Sequence, residues 1–264
     1  MQPIYNNNME FFILIALLYF NMGDYKFYKY RKINSRFLNS LEDGTICFSH
    51  QKDLNDPFDC ELDIKKAISN AADDLGEAGG KKLRNLLKRN GGFERFQTNV
   101  NELGIFSACF GMDKNQTLLW SHYADDHKGV CVLYEMPTEF LDDEENILGV
   151  SRVTYEQDSL TNWFKALASK LPVSDYSFIT ELLKRVLTAK SPPWHYECEV
   201  RIMRPTAGPF EIDKSFIKQI CFGLQATDDD IEKVKAIVNN YKSKVNLYKA
   251  IRGNKDFGIE YKEI

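Results

Sequence analysis

Short period-two segments recur along this chain, and they are separated by stretches of helical period without a regular β-α-β spacing. Apolar and polar residues alternate, or run apolar for four to seven positions, over Tyr25–Arg31, Thr45–Ser49, Gly104–Phe110, Val130–Glu135, Leu148–Tyr155, Glu197–Arg204, Lys218–Phe222 and Lys244–Ala250. A period of two is the signature of a strand. Helical period occupies Ser35–Leu41, Thr117–Ala124, Ser159–Leu171, Ser174–Lys190 and Asp228–Tyr241. Pro192-Pro193 stops the fourth of these, and Thr227 and Asp228 offer the last one a cap. Irregular interleaving of this kind predicts an α+β fold, with a mixed, mainly antiparallel split sheet and helices packed on it. Residues 65–103 are polar, helical in pattern and broken by paired glycines, which predicts a helical insertion.

The chain has 264 residues, 44% of them hydrophobic and 27% charged. That suits one large domain, taken here as residues 22–264. A formal net charge of -4 gives no whole-molecule field for nucleic acid, so no general nucleic-acid affinity is expected. Most of the six cysteines lie in apolar strand-like runs, where a reduced thiol packs as a small hydrophobe; a cytoplasmic protein is expected. Phe11–Phe20 is almost wholly apolar but falls short of the roughly 20 residues a membrane span needs. It also lacks the charged start of a secretory signal. Residues 1–21 are expected to be an N-terminal extension, and no membrane partner is expected.

Four polar segments could carry chemistry. In His195-Tyr196-Glu197-Cys198-Glu199-Val200-Arg201-Ile202, strand alternation puts Glu197, Glu199 and Arg201 on one face, toward solvent or a cleft. Carboxylates so spaced can drive one pKa up while the arginine keeps the other ionised. The plain alternative is a solvated glutamate–arginine ladder. In Asn55-Asp56-Pro57-Phe58-Asp59, Pro57 stiffens the turn and Phe58 can anchor it, holding Asn55 and Asp56 for hydrogen bonds or metal; the plain alternative is a capped turn. On the Thr117–Ala124 helix Trp120 and Tyr123 share a face, as core or as the wall of a ring pocket, and His122 neighbours them. Asp125, Asp126 and His127 form the turn into the next strand. Tyr28-Lys29-Tyr30-Arg31 ends its strand on an arginine that can reach a cleft mouth. Phosphate-binding loops, dinucleotide fingerprints, nucleophile elbows and zincin motifs are absent from the sequence.

These segments resemble, in order, a bacterial family catalogued as domain of unknown function twenty-nine seventy-one: Tyr28–Arg31, Phe48-Ser49, Asn55–Phe58, Cys109-Phe110, Leu119–Ala124, His127–Cys131 and Trp194–Arg201. A second resemblance bears on activity. An arginine on a first strand, a serine on a second and Glu-x-Glu on a late strand are similar to the R-S-E layout of ADP-ribosyltransferases. That resemblance implies NAD as substrate and an unknown macromolecular acceptor. It implies Arg31 on a phosphate, Ser49 at the nicotinamide site, Glu199 stabilising the ribosyl cation and Glu197 serving the acceptor. Tyr30, Asn55, Asp56, Trp120, His122 and Tyr123 would line the nucleotide site, and no metal is expected. The alternatives are a metal-dependent phosphodiesterase or nuclease using Asp56, Asp59, Glu197, Glu199 and His122, or a non-catalytic ligand-binding module.

Overall fold

The computed structural model describes residues 25–60, 62–87, 96, 100–109, 116–173, 175–254 and 258–264. The expected extension at 1–21 lies outside them.

The strands are β1 (Tyr25–Arg31), β2 (Thr45–Phe48), β3 (Gly104–Cys109), β4 (Val130–Met136), β5 (Gly149–Arg152), β6 (Thr154–Tyr155), β7 (Ala189–Lys190), β8 (Glu199–Arg204), β9 (Gly208–Glu211), β10 (Ile217–Phe222), β11 (Asn246–Arg252) and β12 (Ile259–Glu263). The helices are α1 (Ser35–Asp43), α2 (Ile64–Asp74), α3 (Gly76–Leu87), α4 (Thr117–Tyr123), α5 (Thr138–Leu141), α6 (Ser159–Ala168), α7 (Asp175–Thr188) and α8 (Asp228–Val238). Eight strands form one open sheet in the order β12-β11-β10-β4-β1-β3-β8-β5. Its pairs are antiparallel except β10 with β11, so the fold is α+β with a mixed, mainly antiparallel sheet.

The sheet loosens in the middle. β1 pairs with β4 along its whole length, but with β3 at one position, Tyr28 opposite Cys109. Where the ladder lapses, the Lys29 ammonium crosses the gap and donates to the Ser107 carbonyl. This seam positions the candidate site.

Strand alternation gives the sheet two different faces. On one, Phe27, Phe106, Val132, Val200, Ile202 and Ile220 meet α1 and α8 in a continuous core. Both helices present apolar residues at helical spacing: Phe37 and Leu41 on α1, Ile231, Val234 and Val238 on α8. Asn34 caps α1 through the Phe37 N–H, and Gly44 ends it at φ 69, a left-handed conformation that glycine adopts without Cβ strain. Thr227 caps α8, and Asp228, Asp229 and Asp230 in its first turn complement the positive end of the helix dipole.

On the opposite face, Ile105 and Met203 pack with α2, α6 and α7. The expected helical insertion takes part in this core through Ala67, Ile68, Ala71 and Leu83. Beside it, Tyr30, Cys109, Cys131 and Cys221 pack under α4, where Trp120 is 1% exposed. Among the described residues no helix is long and apolar enough to cross a membrane.

Two local expectations need correction. The strand expected from Glu197 begins at Glu199. Glu197 closes a 3-10 turn over Pro192–Glu197, and Cys198 follows at φ 45, which breaks the alternation. Cys198 is therefore exposed rather than core-facing, as is Cys47; the other four thiols are buried and all six are free. Phe58 does not anchor its turn: it is 75% exposed.

Candidate functional site at the seam of the sheet

Arg201 and Glu199 sit on β8, a strand buried at every position and flanked by β3 and β5. Arg201 is 0% exposed, and its guanidinium is fully engaged. Nε donates to Glu199 Oε1 at 2.8 Å and Nη2 to Glu199 Oε2 at 3.2 Å. Nη2 also reaches Asp59 Oδ1 at 2.9 Å, and Nη1 reaches the Leu187 carbonyl of α7 at 2.6 Å. The row is not a solvated ladder. A charge this deep persists only with such partners, since an uncompensated buried charge costs several kcal/mol.

Lys190 supplies the second cation. After α7, β7 runs parallel to β6 with Lys190 opposite Tyr155, which carries the ammonium inward. There it donates to Glu197 Oε2 at 2.6 Å and Glu199 Oε2 at 3.3 Å, and lies 3.4 Å from Asp59 Oδ2. The Trp194 ring covers it at 4.9 Å. Three carboxylates thus converge on one ammonium, at the focus where a divalent ion would be held. Among the described residues no group of three or more His, Cys, Asp or Glu is arranged to hold a metal ion.

The network ends in neutral hydroxyl and amide groups. Tyr123 of α4 donates its hydroxyl to Glu197 Oε1 and accepts from Asn55 Nδ2. Tyr155 accepts the Glu199 backbone N–H at 2.8 Å.

The two glutamates titrate in opposite directions. Burial alone would raise the Glu199 carboxyl, but Arg201 and then Lys190 hold it at about 2. Burial pushes Glu197 up and outweighs its hydrogen bonds from Lys190 and Tyr123. Burial likewise raises Asp59 against the pull of Arg201 and Lys190. Lys190 is opposed by burial, yet Glu199, Asp59 and Glu197 together raise it, so it stays protonated.

Glu197 and Glu199 line a pocket of about 40 Å³ with Tyr28, Lys29, Tyr30, Asn55, Ser107, Cys109, Tyr123 and Lys190. At roughly 10–15 Å³ per water, it holds about three waters or one compact polar group. Burial, followed by the nearby charge of Arg31, lowers Lys29 to about 8.

The structure therefore brings together Glu197, Glu199, Tyr30, Asn55 and Tyr123 of the residues singled out in the sequence. It does not bring Arg31 to them: that guanidinium lies 5.6 Å from the Phe37 ring, on the other face of the sheet. Ser49 bridges β3 through backbone bonds with Ile105. Asp56 is buried and accepts the Phe58 N–H at 2.9 Å, the capped turn. Trp120 is core, edge-on to Tyr30. His122 is exposed, with Tyr123 and Tyr196 as ring neighbours. Sequence reasoning missed Lys190, Tyr155 and Lys29. For Lys190 the signal is faint, a lysine two residues past the end of α7 and just before Ser191-Pro192-Pro193. For Lys29 the signal is plainer, a lysine alternating with two tyrosines along β1.

Fold and pocket define an α+β protein with a buried ionic network at the seam of an open sheet. Residues 119–202 match the model of a family described as Protein of unknown function (DUF2971). The resemblance is thus shown over a stretch that carries most of α4, the first four residues of β8, Lys190 and both glutamates. Among curated proteins and among solved structures, none matches the chain.

Proposed function

We propose that the seam pocket is the site of an NAD-consuming reaction, ADP-ribosyl transfer or NAD hydrolysis, in a bacterial cytoplasmic protein. The observation that supports this best is the opposite tuning of the two glutamates that share the pocket. Paired carboxylates whose environments push their pKa values apart are suited to separate roles. Glu199, ionised down to about pH 2 and clamped by Arg201, is a fixed negative charge for an oxocarbenium-like ribose. Glu197, raised and hydrogen-bonded to Tyr123, is suited to take a proton from an acceptor or from water. Arg31 has no part in this version, because it lies on the far face of the sheet. Exposed free thiols at Cys47 and Cys198 support a reducing compartment.

The test is nicotinamide release, with cell extract as acceptor source and label incorporation read in parallel. Glu199→Gln keeps shape and loses the charge, and should cut both readouts roughly 100- to 1,000-fold. Glu197→Gln should cut transfer while sparing hydrolysis. A wild-type chain that releases no nicotinamide sinks the proposal.

The size of the pocket favours a second reading, a non-catalytic module for a small polar ligand. About 40 Å³ admits such a ligand as it stands, whereas a dinucleotide requires the Asn55–Asp59 loop and Tyr123 to open. Ligand-induced stabilisation without nicotinamide release would select the module. The metal-dependent alternative requires Lys190 to leave the focus of the carboxylates, and an activity restored by a divalent ion after EDTA treatment would select it.

A further inference from the structure

The charges at the seam pocket balance. Asp59, Glu197 and Glu199 are answered by Lys190, Arg201 and Lys29. Lys190 and Arg201 touch the carboxylates. Lys29 feels Glu199 and Glu197 through space, and among the described residues no ion pair joins it to either. All three line the cavity, so ammonium and carboxylates face it together. Both kinds of group retain bonding sites. Among the described residues the Lys29 ammonium gives one of its three N–H groups to a carbonyl, that of Ser107. The Glu197 carboxylate, with about four lone-pair sites, accepts from Tyr123 and Lys190.

We infer that the seam pocket takes an uncharged carboxamide head, with its carbonyl on the Lys29 ammonium and its amino group on the Glu197 carboxylate. An anion in this cavity meets Glu197 and Glu199, and a cation meets Lys29 and Lys190, so either ion leaves the site with an unanswered charge. A neutral group that accepts at one end and donates at the other satisfies both sides. An amide suits this field better than a hydroxyl, because its dipole is large, about 3.5 D in a peptide unit. Size agrees. About 40 Å³ holds about three waters, the room that the carbon, oxygen and nitrogen of one carboxamide need, while the ring or chain that carries it stays at the mouth. Displacing water costs little when the incoming group remakes the same bonds. The inference rests on the seam pocket being a ligand site, but not on NAD being the ligand, since nicotinamide and a glutamine side chain carry the same head.

The experiment measures the melting temperature of the full chain at pH 7 and constant ionic strength against four probes. Nicotinamide and N-acetylglutamine methylamide carry the carboxamide on a ring and on a side chain, and so distinguish its two sources. Nicotinate and pyridylmethylamine keep the ring but carry a carboxylate and an ammonium. Wild type should show a saturable rise, about 3–5 °C at tenfold over half-saturation, with at least one carboxamide and with neither ion. Lys29→Met leaves three carboxylates against two cations, so the carboxamide rise should vanish and pyridylmethylamine should gain one. Glu197→Gln leaves the opposite excess, so nicotinate should gain a rise; this arm decides should Lys29→Met fail to fold. No rise in wild type with either carboxamide, an equal rise with either ion, or an unchanged ranking of probes in a folded variant overturns the inference. Nicotinamide release from NAD is read separately. Release without a carboxamide rise sinks this inference alone, and a carboxamide rise without release sinks the NAD proposal alone.

Discussion

Arg201 and Glu199 are two residues apart on a fully buried strand, and each makes the other tolerable there. Removing Arg201 leaves Glu199 and Asp59 buried with the Lys190 ammonium to share between them. Arg201→Met should therefore destabilise the fold by about 3–5 kcal/mol in urea titrations, more than the loss of its packing would explain. A cost under about 1 kcal/mol would mean the network is not formed. The same residues fix an acid response. Glu199 ionises near 2 folded against 4.5 ordinarily, so its stabilisation is present above about pH 4.5 and is lost as pH falls toward 2. Glu197 and Asp59 are shifted upward, so their contribution is present at low pH and lost as pH rises through their folded values, which offsets part of the effect. Denaturation midpoints should fall as wild type is acidified through that window, and fall less in Glu199→Gln. Parallel curves for the two proteins would refute the assignment.

At the scale of the element, the Asn55–Asp59 turn shows how similar residue types diverge in role. Asn55 reaches Tyr123 and the pocket, Asp56 holds the turn, and Asp59 is delivered to Arg201. Asp56→Ala should thus lower stability by about 1 kcal/mol through the lost side-chain-to-backbone bond. Phe58→Ser, at a residue 75% exposed, should stay within about 0.5 kcal/mol in the same denaturation assay. Reversal of that order would show the turn to be built around Phe58 after all. The turn chemistry of Asn-Asp-Pro was legible from the sequence. Which carboxylate entered the core was not, because that depends on where the Arg201 guanidinium ends, 142 residues away along the chain.

Over the whole molecule, one sheet serves two cores, and β3 and β8 carry residues of both: Phe106, Val200 and Ile202 on one face, Ile105 and Met203 on the other. Loss of either core exposes these strands, so the chain should unfold as one unit. The tryptophans report from different places: Trp120 on the buried face of α4, Trp163 on α6 against α7, Trp194 over Lys190. Fluorescence and far-UV circular dichroism should give superimposable denaturation curves. A separate early transition, traced to Trp163 by its replacement with phenylalanine, would divide the chain into two domains.

Local chemistry determined much of this. Period-two and period-3.6 patterns placed most of β1, β3, β4, β10, α1, α4, α6, α7 and α8, because burial on one face is written into residue spacing. The short strands β7, β9 and β12 escaped, since two to five residues carry too little periodicity and are made by the partner they pair with. The Glu197–Arg201 segment was recognisable as charged and alternating. Its meaning was decided by tertiary structure: a left-handed Cys198 that broke the alternation, and a covering layer from α7 that excluded water from Arg201. Lys190 and Lys29 had no spacing that tied them to the glutamates. They joined them only through the β6–β7 pairing and the parting of β1 from β3, since the energy of a buried charge is set by what surrounds it in space and not by its neighbours along the chain.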